Sequence, residues 1–156
     1  IYYDPDLKNN KIVLGYTTSK NYNNPFLILL NSIEELKNKL NTLDEEFKKV
    51  EEEKSYDSYY SSRIEIKTVK VLNTSNVKKI FIQNNNWTVI NLLFKYIYDL
   101  TNGAIKNLNP GVVHPEIDVA VLTISHPQYI KLIRDAIKNI IKDLDLIKNA
   151  VLKSAK

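Results

Sequence analysis

Seven apolar residues near the end of the chain, Ile130, Ile133, Ile137, Ile140, Leu144, Ile147 and Val151, are spaced 3, 4, 3, 4, 3, 4. On an α-helix this spacing sets all seven on one stripe, the a/d seam of a heptad pattern. A stripe of that length must be buried against something. A second one lies about a hundred residues earlier. Ile33, Leu36, Leu40, Leu43, Phe47 and Val50 are spaced 3, 4, 3, 4, 3. At ~1.5 Å rise per residue, the two stripes span roughly 32 Å and roughly 26 Å, close enough to pack side by side. Leu132, Ala136, Ile141 and Leu146 widen the C-terminal stripe, which suits packing in a bundle or on a sheet better than a narrow two-stranded seam. Its polar positions mix Lys131, Lys138, Lys142 and Lys148 with Asp135, Asp143 and Asp145, too balanced for an anionic membrane surface.

The rest of the chain supplies what such helices would cover. Tyr2–Tyr3 and Lys11–Thr18 read as strands, the latter on its β-branched content. Phe26–Leu30 is a short apolar run whose length suggests a buried strand, with a helical start as the alternative that periodicity leaves open. Ser32-Ile33-Glu34-Glu35 forms a capping box at the head of the first stripe. Arg63–Leu72 and Val77–Gln83 read as a hairpin, with a bulge expected near Lys67–Thr68, where the apolar parity changes. Asn86–Thr101 is apolar almost all round and predicts a central buried helix stopped near Gly103. Ala104–Pro115, with Pro110, Gly111 and Pro115, reads as a loop, and Glu116–Ile124 as an interior strand. Ser125-His126-Pro127-Gln128 is a second capping-box pattern and launches the C-terminal helix.

The expected fold is therefore α+β. A mixed or mainly antiparallel sheet would be covered by two long heptad-patterned helices, about 32–54 and 126–153, and one buried helix, about 87–101. Its 156 residues suffice for one domain, 1–156. The sequence has no Met, so residue 1 is expected not to be a translation start, and the chain to be a processed or trimmed part of a longer one. Lys outnumbers Arg 20 to 2, and Ile, Asn and Tyr are abundant, the bias an AT-rich genome imposes. Cys is absent, which excludes disulfides, thiolate metal sites and a Cys nucleophile. No apolar run reaches the ~18 residues of a membrane span. The expected setting is soluble, either intracellular or virion-associated.

Three constellations could carry chemistry. His114, Glu116 and Asp118 alternate along one side of an early-starting strand, and His126 follows that strand's far end. Their donor types could hold a metal, but about 26 Å of extended chain separates Asp118 from His126. Asp57 with Glu65-Ile66-Lys67 has the acidic and Glu-x-Lys elements that metal-dependent nucleases place on a strand, although Glu-x-Lys also occurs at Glu46–Lys48 and Glu52–Lys54. Arg63, Lys67, Lys70, Lys78 and Lys79 make residues 61–110 the basic third of the chain, with 7 basic and 2 acidic groups. Lysines there could neutralise phosphates, with Tyr59 and Tyr60 available for stacking, yet lysine on solvent-facing strands also protects sheet edges.

No motif names an activity, and no cofactor is implied. The leading expectation is a non-enzymatic structural or protein-interaction subunit, an assembly component of a virus, phage or other large complex. Leu40, Phe47, Ile137 and Leu144 are candidates for its interaction face. The partner expected is another protein or a second copy of the chain. Nucleic-acid binding through the basic hairpin 63–83 is the alternative, followed by a metal-dependent nuclease or hydrolase.

Overall fold

The computed structural model describes residues 2–3, 12–13, 24–52, 69–74, 77–83, 87–114 and 117–154. They form two short strands, β1 (Tyr2–Tyr3) and β2 (Ile12–Val13), then α1 (Pro25–Glu52), β3 (Val69–Thr74), β4 (Val77–Gln83), α2 (Trp87–Leu100), β5 (Leu108–His114), β6 (Ile117–Ile124) and α3 (Tyr129–Ser154). The class is α+β, and every strand pairing among these elements is antiparallel. β1 pairs with β2, and the main sheet has the order β3-β4-β6-β5.

Period-two alternation sets the two faces of that sheet. Ile80 opposes Leu122, Ile82 opposes Ala120, and Leu108 opposes Ile124. All six are buried. Lys79, Phe81, Val119, Val121 and Thr123 take the intervening positions and are exposed or half-buried. Helices cover the first face. α2 lies against β5, β6 and α3, while α1 lies against α3 and β3. The resulting core joins Leu40, Leu43 and Phe47 of α1, Val89, Ile90, Leu93 and Ile97 of α2, and Ile133, Ala136, Ile137 and Ile140 of α3 to the buried sheet positions.

Two segments depart from the sequence expectation. Phe26–Leu30 belongs to α1, because the helix starts two turns before the Ser32 box. Asn24 caps it, its Oδ1 accepting from the Phe26 amide at 3.0 Å and the Leu27 amide at 3.4 Å. Pro25 at the first helical position loses no hydrogen bond, since its N–H would have had no intrahelical partner. Ser32 is then an interior residue whose hydroxyl donates to the Ile28 carbonyl at 2.9 Å. Residues 108–114, expected to be loop, form β5. This is an edge strand, with one row of N–H groups that no neighbour needs, so Pro110 fits opposite Leu122. The register shifts between Val112 and His114, a bulge in β5. The bulge expected near Lys67–Thr68 and the strand residues 63–68 lie outside the described residues.

α2 ends in a Schellman turn. The Gly103 amide donates to the Tyr98 carbonyl at 2.9 Å, and the Asn102 amide to the Asp99 carbonyl at 3.2 Å. This requires left-handed backbone at Asn102 (φ 49°) and Gly103 (φ 71°), residue types that tolerate it. At the head of α3, the His126 ring Nδ1 accepts from the Gln128 amide at 3.1 Å, which gives this histidine a capping role.

Candidate functional site

α1 and α3 lie antiparallel, and three ion pairs fix their register. Asp44 meets Arg134 at 2.9 Å, Lys37 meets Asp145 at 2.6 Å, and Glu34 meets Lys148 at 2.5 Å. As the residue number falls along α1 it rises along α3, so the start of α1 adjoins the end of α3. Their 28 and 26 residues correspond to about 40 Å of helix each. The strands beneath have 6 to 8 residues, at most about 27 Å. The helix pair is therefore longer than the sheet that it covers.

Burial identifies the end that overhangs. On α3 the buried residues are Tyr129, Ile133, Ala136, Ile137 and Ile140, and Leu144 is only partly buried. Beyond it, Leu146 is 60% exposed, Ile147 49% and Leu152 42%. On α1 the buried residues run from Ile33 to Phe47, whereas Phe26 is 40% and Leu27 53% exposed. The uncovered end thus combines the first turns of α1 with the last turns of α3. Pro25–Ile33 contains no charged residue.

Two ion pairs cross between the helices at this end, and Leu146 and Ile147 lie between their α3 members, Asp145 and Lys148. Lys148 donates to Glu34, and that bond holds the Glu34 carboxyl below its ordinary range. Lys37 donates to Asp145, which raises the Lys37 ammonium above its ordinary range. Further along, the Tyr96 hydroxyl of α2 donates to Asp143 Oδ2 at 2.6 Å. That bond, with a smaller contribution from burial and from the negative charges of Asp143 and Asp99, pushes the phenol up to about 12.

The residues singled out from sequence are distributed as follows. Leu40, Phe47 and Ile137 are fully buried in the chain's own core, and Leu144 borders it. The exposed parts of the same helices are their far ends, Phe26 and Leu27 on one and Ile147 on the other. The signal for Phe26 was present in the sequence. Stepping back from Ile33 by 4 and then 3 gives Leu29 and Phe26, a continuation of the same stripe. Lys79 is exposed on the sheet face away from the helices, and Lys78 is half-buried opposite Ile124 on the other face. Position 70 pairs with Phe81. Arg63, Lys67, Asp57, Glu65 and Glu116 lie outside the described residues. The backbones of His114 and Asp118 belong to β5 and β6, and their side chains are outside the description. Among the described residues no group of three or more His, Asp or Glu is gathered as a metal site, and no helix is long and apolar enough to cross a membrane.

No model of a known protein family matches the chain, and no curated protein matches it either.

Proposed function

We propose that this chain is a non-enzymatic structural or protein-interaction subunit whose docking surface is the overhanging end of the α1–α3 pair. The observation that carries the reading is the exposure of Phe26 and Leu27 in the first turn of α1 and of Ile147 and Leu152 in the last turns of α3, two helix ends that adjoin each other. Large apolar side chains exposed near one another commonly mark interaction sites. The heptad-patterned seam supports it too. A stripe that continues past its own core offers an a/d surface to another helix. An AT-rich composition fits a viral or phage assembly as well as any other complex.

Thermal unfolding of dilute protein tests the reading. Ile137→Ala removes core volume and should cost about 2–5 kcal/mol, whereas Ile147→Ala should change stability by less than about 0.5 kcal/mol. A comparable loss at both positions would make the end of α3 part of the core and remove the docking surface.

One observation favours a second reading, nucleic-acid binding. Lys79 is exposed on the sheet face away from the described helices, two residues along β4 from Phe81. A cation beside an aromatic ring suits a phosphate and a stacked base. Retention on single-stranded DNA that weakens steeply with salt, and weakens again in Lys79→Ala, would support this reading over the first.

A further inference from the structure

We propose that Asn102-Gly103, at the end of α2, is a self-modification site: the Asn102 side chain cyclises onto the Gly103 nitrogen, and the Schellman turn holds that reaction off until the end of the helix opens. The site is remote in sequence from the α1–α3 end and does not depend on the reading of that end.

The residue types suit the chemistry. Of the three glycines, only Gly103 follows an asparagine. Asparagine is a thermolabile residue, because the next backbone nitrogen can attack its amide carbon. Gly103 has no Cβ to crowd the ring as it closes. Asn102 is exposed, so water reaches it. In the reaction the Gly103 nitrogen bonds to Asn102 Cγ, the Cγ–Nδ2 bond breaks, and ammonia leaves with the proton that Gly103 gives up. Water then opens the five-membered imide. Cleavage on the Cγ side leaves aspartate, and cleavage at the main-chain carbonyl leaves isoaspartate, whose backbone runs through the side chain. Water is the only co-reactant, and nothing is oxidised or reduced.

Two features of the folded turn oppose this. The imide nitrogen carries no hydrogen, so the bond from the Gly103 amide to the Tyr98 carbonyl, 2.9 Å long, must break first. The second feature is the backbone. A non-glycine residue with φ of 49° is confined by sterics to ψ of about +30 to +60°. That range sets the Gly103 nitrogen anti to the Asn102 Cβ, roughly 150–180° apart about the Cα–C bond. The ring needs the two nearly eclipsed. Cyclisation therefore requires a large rotation at Asn102, which opens the turn. Isoaspartate cannot restore it, because an extra main-chain carbon now separates the two amides that bond to Tyr98 and Asp99. Each opening that reacts leaves the end of α2 undone, close to Ile105, which packs against the core.

Incubating the whole chain in mildly alkaline buffer, native and in guanidinium chloride, tests this. Peptide mapping by mass spectrometry locates the change and separates aspartate from isoaspartate. In denaturant, Asn102 should be the fastest asparagine to react. In the native protein its rate should be lower by roughly tenfold or more, since reaction waits for local opening. Leu100→Gly, at a 42% exposed position, weakens the last turn of α2 and keeps the reactive pair. It should raise the native rate roughly three- to fivefold and leave the denatured rate unchanged. No reaction at Asn102 in denaturant overturns the site. Equal native and denatured rates in the parent, or a native rate that Leu100→Gly does not move, overturn the control by the turn.

Discussion

Arg134 holds Asp44 with two prongs across the α1–α3 contact, Nε donating to Oδ1 at 2.9 Å and Nη2 to Oδ2 at 3.4 Å. Both side chains are about three-quarters buried. A bidentate, partly desolvated pair is directional in a way that the apolar stripes are not, because leucine and isoleucine tolerate sliding by a turn. The pair thus helps set the register in which the first turns of α1 adjoin the last turns of α3. Asp44→Ala should lower unfolding free energy by about 1–2 kcal/mol and the melting temperature by about 3–6 °C, read by thermal and urea denaturation.

The ion pairs near the overhanging end predict a pH dependence of opposite sign at the two extremes. Glu34 is held below 4.5 by its bond from Lys148, so its contribution is complete above that value and is lost as pH falls through the lower folded value. Lys37 is raised above 10.5 by its bond to Asp145, so its contribution is complete below 10.5 and is lost as pH rises through the higher folded value. Carboxyl titration followed by NMR should find the Glu34 midpoint below 4.5 and return it toward that value in Lys148→Ala. An unmoved midpoint would mean that the bond is not formed in solution.

Tyr96 should titrate late. Its hydroxyl donates to a carboxylate that has no proton to give a phenolate, so ionisation breaks the bond and adds a second negative charge. Ultraviolet titration should show one tyrosine with a midpoint near 12, and Asp143→Asn should bring it down toward 10. Stability attributable to this group should be constant below pH 10 and decline between about 10 and about 12, because the folded state holds the proton more tightly than the unfolded chain.

Gly103→Ala should destabilise by about 1 kcal/mol or somewhat more, since an L side chain is strained at φ 71°. A Cβ there would also lie 3.0 Å from the Tyr98 ring, but that ring is about half exposed and can move, so backbone strain dominates. Asn102→Gly, at φ 49°, should be close to neutral or slightly stabilising. Equal effects at the two positions in chemical denaturation would contradict the Schellman assignment.

The parts of the fold legible in the sequence were those where a strong period matched a single solution. The 3-4 spacing around Leu40 and Ile137 gave helices, the alternation around Ile80 and Ile82 a strand, and the all-round apolar segment Val89–Ile97 a buried helix. Phe26–Leu30 was ambiguous because five consecutive apolar residues carry no period. The decisive signal was the Asn24-Pro25 dipeptide, a cap followed by the residue best suited to the first helical position, and the box at Ser32 competed with it. Pro110 and Gly111 concealed β5, because the tolerance of an edge strand for proline depends on strand order, which no local window contains. The site was less legible for a related reason. A stripe shows which side of a helix is apolar, but only the length of the sheet beneath decides where cover ends. Leu40 and Ile137 are therefore core, while Phe26 and Ile147 on the same helices stand in solvent.

The most direct test of the account uses the absence of cysteine. Single cysteines at Ile147→Cys and at Ile137→Cys, on the same stripe of α3, can be compared by their rate of reaction with a thiol reagent under native conditions. Ile147 is 49% exposed and Ile137 is fully buried. Fast labelling is expected at 147, and far slower labelling at 137, where the reagent must wait for the helix to open. Equal rates, or protection at 147, would contradict an uncovered end of α3.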